Sequence, residues 1–90
     1  MSTPGRLPNT FRRRAHRTLH PNLRKAARAA MRNGVRSADL ALNGGWATAQ
    51  VFSTQLHARR LPNTDLTVQR FQRLAELVGY SGPLFEERPA

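Results

Sequence analysis

Adjacent glycines at 44 and 45, set between two stretches free of glycine and proline, constrain this 90-residue chain more than any other feature. A residue with a Cβ takes positive φ only at a cost, so a glycine pair marks a sharp reversal between two short helices. Ahead of it, Leu40 and Ala41 offer one bulky and one small apolar residue, which lets a following helix cross closely. Trp46 can plug the elbow. The reading predicts a helix over Ala38–Asn43 with Ser37 as its cap and Asp39 in its first turn, then both glycines at positive φ, then a helix over Ala47–Ala58.

That second helix carries Val51, Phe52 and Leu56 as its apolar residues and uncharged hydrogen-bonding groups elsewhere. Such a helix suits a major groove, with Thr48, Gln50, Ser53 and Thr54 as the candidate base-contacting side chains. Gln50 leads them, because its amide can pair bidentately with adenine.

Charge supplies the complementary feature. The chain is formally +10, and ten of its cations precede the first acid, Asp39, whereas from Ser37 onward five arginines meet five acids. An excess confined to the first third reads as a footprint for a polyanion. Arg12, Arg13, Arg14, Arg17, Arg28, Arg32 and Arg36, with Ser37, are the candidate phosphate contacts.

Residues 1–22 hold Pro4, Pro8 and Pro21 with only Leu7, Phe11 and Leu19 as bulky apolar groups. They read as a basic, largely disordered arm with at most a helical turn near Thr10–Thr18, dispensable for folding as far as Thr18. His16 and His20 stand at the i, i+4 spacing of helical metal ligands, but no third ligand accompanies them, so no metal or other cofactor is expected. The domain proper spans 23–86, with 87–90 a tail. Its first helix, Leu23–Arg32, is capped by Asn22 and presents Leu23, Ala26, Ala27, Ala30 and Met31 at helical spacing. Its last long helix, capped by Asp65 or Thr67, presents Val68, Phe71, Leu74, Ala75 and Val78, and Gly79 ends it. Trp46, Phe71 and Leu74 should be buried together. Arg60-Leu61-Pro62-Asn63-Thr64 repeats Arg6-Leu7-Pro8-Asn9-Thr10 as turn chemistry, too short for a repeat architecture. Ser81–Glu87 can add a short turn or helix, in which Leu84 and Phe85 either close the core or dock on a twin subunit.

The chain resembles the Cro/CI-like (XRE-type) helix-turn-helix regulators of phages and mobile elements. The features that carry the resemblance are Gly34-Val35, Ala38-Asp39, Leu40-Ala41 and Gly45-Trp46, together with the Leu-Ala-containing helix Val68–Gly79. It covers Leu23 to Gly79. The chain departs from the family at Ser37, where glutamine is usual, at Ala58-Arg59-Arg60, where an acid and a glycine are usual, and in a longer run from Leu56 to Leu74. The apolar spacing implies an all-α domain of four to five helices with no sheet from about Leu23 to Phe85. Because one helix reads only a few base pairs, a homodimer on DNA is expected, joined through Tyr80, Leu84 and Phe85, where small members of the family it resembles often build their dimer.

The function expected is therefore sequence-specific binding of double-stranded DNA as a transcriptional regulator, such as a phage or mobile-element repressor acting in the bacterial cytoplasm at the nucleoid. Two other classes fit the charge: a small phage-encoded protein that inhibits an acidic host protein, anchored by Tyr80, Leu84 and Phe85, and an RNA-binding protein whose arginine-rich arm orders on contact. An enzyme is not expected, because there is no cysteine, the acids are scattered and no glycine motif cradles phosphate. Nor does any apolar run reach the length of a membrane span, and no small-molecule substrate is evident.

Overall fold

The computed structural model describes residues 16–86. Expectations that fall on 1–15 or 87–90, among them Arg12, Arg13 and Arg14, lie outside the described residues. Four helices make up most of the described chain: α1 (Pro21–Arg32), α2 (Ser37–Gly44), α3 (Ala49–Leu56) and α4 (Asp65–Val78). The domain is thus all-α in its packing layers, as its periodicity predicts.

Helices α1, α2 and α4 end in one way. The amide after a left-handed glycine reaches back to a carbonyl five residues earlier, as Val35 N donates to Ala30 O, Trp46 N to Ala41 O and Tyr80 N to Ala75 O, at 3.0, 2.8 and 2.8 Å. The glycines concerned are Gly34, Gly45 and Gly79, and the pattern satisfies carbonyls that a helix end otherwise leaves unpaired. Helix α3 has no such glycine. It stops at His57, whose φ is −102°.

Four helix starts differ from the sequence expectation, each for a local reason, and α3 ends at Leu56 rather than Ala58. Helix α1 begins at Pro21 rather than Leu23, since proline is suited to a first turn whose amides have no intrahelical acceptor, and its cap is His20, whose Nδ1 accepts from Asn22 N at 3.1 Å. Ser37 lies inside α2, with Arg36 at the cap position and no side-chain cap bond. Thr48 caps α3 through Oγ1, which accepts from Val51 N at 3.1 Å and shortens the helix at its start. Thr64, not Asp65 or Thr67, caps α4, accepting from Thr67 N at 3.2 Å while also meeting the buried Thr67 hydroxyl.

The core sits between α4 and the other three helices. Helix α1 contributes Leu23 and Ala27, α2 Leu40 and Ala41, α3 Phe52 and Leu56, and α4 Phe71, Leu74 and Ala75. Trp46 is buried among them as expected, its ring 4.9 Å from Phe52 and 5.2 Å from Phe71 between centroids.

The expectation of no sheet from Leu23 to Phe85 is corrected. His16–Arg17 (β1) pairs antiparallel with Leu61–Pro62 (β2), and Leu19 bridges Phe85. Leu19 and Leu61, both 1% exposed, pull these segments into the core, so residues 16–22 of the expected arm belong to the packed domain. No helix forms over 81–86. Instead Leu84 O accepts from His20 N, and Glu86 N donates to Thr18 O, tying the C-terminal segment to the chain before α1.

Candidate nucleic-acid interface

Helices α2 and α3 are joined by the four residues Gly45–Thr48, and the geometry of that joint fixes what α3 exposes. The two glycines play different parts. Only Gly45 is left-handed, at φ 99°. Gly44 is an ordinary helical residue against which the indole of Trp46 lies so closely that a Cβ would overlap it, with Cε3 only 2.7 Å from the position such an atom would take. The pair therefore supplies one turn and one close approach, not two positive φ values. Trp46 is held from the other side, since its Nε1 donates to Gln55 Oε1 at 2.8 Å. That bond anchors the inner side of α3 and satisfies a donor that burial would otherwise strand.

With Phe52 and Leu56 turned inward, α3 presents Gln50, Ser53 and Thr54 to solvent, joined by Val51, which is 40% exposed. At about 100° per residue these positions cover one face, and His57 falls within it. Gln50, Ser53 and Thr54 have no side-chain hydrogen bond among the described residues, so their polar groups are available to a ligand. Thr48 is exposed as well, but its hydroxyl already serves the cap. The exposed face contains no acid and no arginine.

Helix α1 carries the other half of the candidate surface. Lys25, Arg28 and Arg32 repeat at i, i+3 and i+7 on the side away from Leu23 and Ala27, all three exposed, and Arg36 is exposed beyond the helix end. None of the four has a partner among the described residues. Arg24 behaves differently from its neighbours. Its Nε donates to Leu56 O at 2.7 Å, so the basic helix grips the last carbonyl of α3 where no glycine closes the helix. The contact sets the first turn of α1, at Arg24, beside the C-terminal end of α3. Arg70 of α4 holds the turn between α2 and α3, its Nε donating to Gly45 O at 3.2 Å with its guanidinium 6.0 Å from the Trp46 ring centroid.

Other expected contacts are placed less simply. Arg17 is half-buried in β1, stacked over Phe85 at 5.0 Å, and its Nε is buried without a hydrogen-bond partner. Ser37 is half-buried like Arg17, whereas Arg28 and Arg32 are exposed. Tyr80, Leu84 and Phe85, expected at a dimer interface, pack against their own core. The Tyr80 hydroxyl donates to Pro83 O at 2.7 Å, and Phe85 meets Phe71 edge-on at 6.1 Å. Among the described residues, the large apolar side chains left exposed are Val35, Leu42, Val51, Leu66 and Leu77, with Leu42 the most open at 74%.

Sequence reasoning missed Arg24, Gln55, His57 and Arg70 as residues that hold or extend the surface. Each makes its contact with a group far along the chain or depends on where α3 stops, apart from the Gln55–Trp46 pair, nine residues apart, for which the sequence offered a buried indole in need of an acceptor. His16 and His20 are separated into β1 and the α1 cap, so they do not share a helix face, and among the described residues no group of three His, Cys, Asp or Glu is placed to hold a metal ion. No helix in this range is long and apolar enough to cross a membrane. Compared with family models, curated proteins and solved structures, the chain matches none significantly.

Proposed function

We propose that the protein is a sequence-specific double-stranded DNA-binding regulator of the helix-turn-helix kind, with α2 and α3 as the two helices of the motif and α3 as the reading helix. The observation that carries this reading is the exposed face of α3, whose Gln50, Ser53 and Thr54 are unpartnered and uncharged while Arg24 ties the helix end to a basic helix. A groove-reading helix needs neutral donors and acceptors at base edges and cations at its margin. Lys25, Arg28, Arg32 and Arg36 supply the phosphate contacts. Val51 adds an apolar contact of the kind a thymine methyl accepts.

The other classes have less support. Tyr80, Leu84 and Phe85, the anchors for gripping an acidic protein, are engaged with their own core. The same engagement moves any twin-subunit contact to other apolar groups, of which Leu42, Leu66 and Leu77 remain exposed.

In-vitro selection of bound duplexes from a random pool, followed by two substitutions, tests the proposal. Gln50→Ala should cost about 1 to 3 kcal/mol on the selected site and leave non-specific binding nearly intact. Arg32→Ala should weaken binding to all sequences alike. Selection that yields no consensus, or two variants with indistinguishable profiles, refutes the assignment of α3 to the groove.

A further inference from the structure

We infer that His57 is a further reading residue, one that recognises a base carrying an exocyclic amino group, adenine through N6 or cytosine through N4. The inference rests on α3 lying in the major groove, and it deepens that reading by naming what one side chain would select.

The geometry at the helix end carries it. His57 is the C-cap of α3, is exposed, and shares the face of Gln50, Ser53 and Thr54. Its Nδ1 lies 3.0 Å from Ser53 O. A carbonyl oxygen can only accept, so Nδ1 must carry the proton in that bond. In the neutral ring the remaining nitrogen, Nε2, is then a bare acceptor. Because Nδ1 is tied back to the helix, Nε2 is turned outward from it. In the major groove, adenine and cytosine present an amino donor, whereas guanine and thymine present carbonyl oxygens at the equivalent positions. An acceptor fixed in place discriminates between these two pairs. Most exposed histidines rotate freely and would not.

Two features keep the ring where it is. The Ser53 carbonyl also accepts from His57 N at 3.2 Å, so backbone and side chain of one residue converge on one acceptor. Arg24, bonded to the adjacent Leu56 O, holds the carbonyl end of the helix to α1. The absence of a glycine stop thus leaves room for a side chain that a glycine-closed end would lack.

The test uses the full chain and the duplex consensus it selects. At each adenine or cytosine of the site, the amino-bearing base is replaced by its desamino analogue, and binding is measured for wild type, His57→Phe and His57→Gln, with melting curves for all three. At one position the wild type should lose about 2- to 12-fold in affinity, the range of a single neutral hydrogen bond. His57→Phe should be indifferent to the analogue there, and His57→Gln, which retains an acceptor, should keep part of the sensitivity. Equal sensitivity of wild type and His57→Phe at every position overturns the role of His57 while leaving the function of α3 standing. A wild type that selects no duplex overturns both.

Discussion

Among the described glycines Gly44 has the closest neighbour, the Trp46 indole, and the mechanics of this joint are decided atom by atom. The indole is wedged between Phe52 and Phe71 and pinned by Gln55, so it cannot swing aside for a methyl group at position 44. Gly44→Ala brings a gain of about 1 kcal/mol in helix propensity. It meets an overpacking cost of about 1 to 3 kcal/mol, toward the upper end because a rigid ring is the obstacle. The net expectation is a loss of about 1 to 2 kcal/mol. It should be read as a lower urea midpoint at unchanged slope, with shifted Trp46 fluorescence. A variant as stable as the wild type would mean that the ring has somewhere to go. Part of this joint was legible in the sequence: a glycine pair before a lone tryptophan announces a turn with a plug. Which glycine turns and which yields space was not legible, because that depends on where the indole lies once Phe71, from a distant helix, has been packed against it.

At the scale of elements, α3 differs from its neighbours in how it is stopped, and the difference explains why it is tied to them. Three helices close on left-handed glycines, whereas α3 relies on Arg24 at its last carbonyl and on Arg70 at the turn that precedes it. Arg24→Met keeps much of the aliphatic stem but removes the donor. It should cost about 1 to 3 kcal/mol, the worth of a hydrogen bond to a charged donor with its acceptor left unpaired. Hydrogen exchange should localise the loosening to the last turn of α3, leaving α4 protected. Uniform loss of protection would show instead that Arg24 supports the whole core. The helices themselves were legible because their apolar spacing and glycine stops are local signals. Helix ends that depend on Thr48, Thr64 and His20 were misplaced by one to three residues, since several neighbouring polar residues could serve as caps and only the packed geometry chooses between them.

For the whole molecule, the residues described just before α1 belong to the packed fold. Leu19 is buried, its backbone bridges Phe85, and Thr18 O accepts from Glu86 N at 2.8 Å, so the residues just ahead of α1 close the base of the fold. Sequence composition hid this, because Leu19 stands among basic residues and prolines with no apolar periodicity, and its partners Leu61 and Phe85 come from the other half of the chain. Two truncations separate folding from binding. Removal of residues 1–15 takes away Arg12, Arg13 and Arg14 and should leave the melting temperature nearly unchanged. If all three meet phosphates, the slope of log affinity against log salt should fall by roughly 2.7, from about 0.9 for each neutralised phosphate. Removal of residues 1–19 additionally strips Leu19 from the core, a loss on the scale of about 2 to 5 kcal/mol for a buried leucine, and should lower the melting temperature sharply. Equal salt slopes for the full chain and the shorter truncation would make those three arginines a solubilising tail. A steep loss of melting temperature already at residue 15 would move the folding boundary toward Phe11.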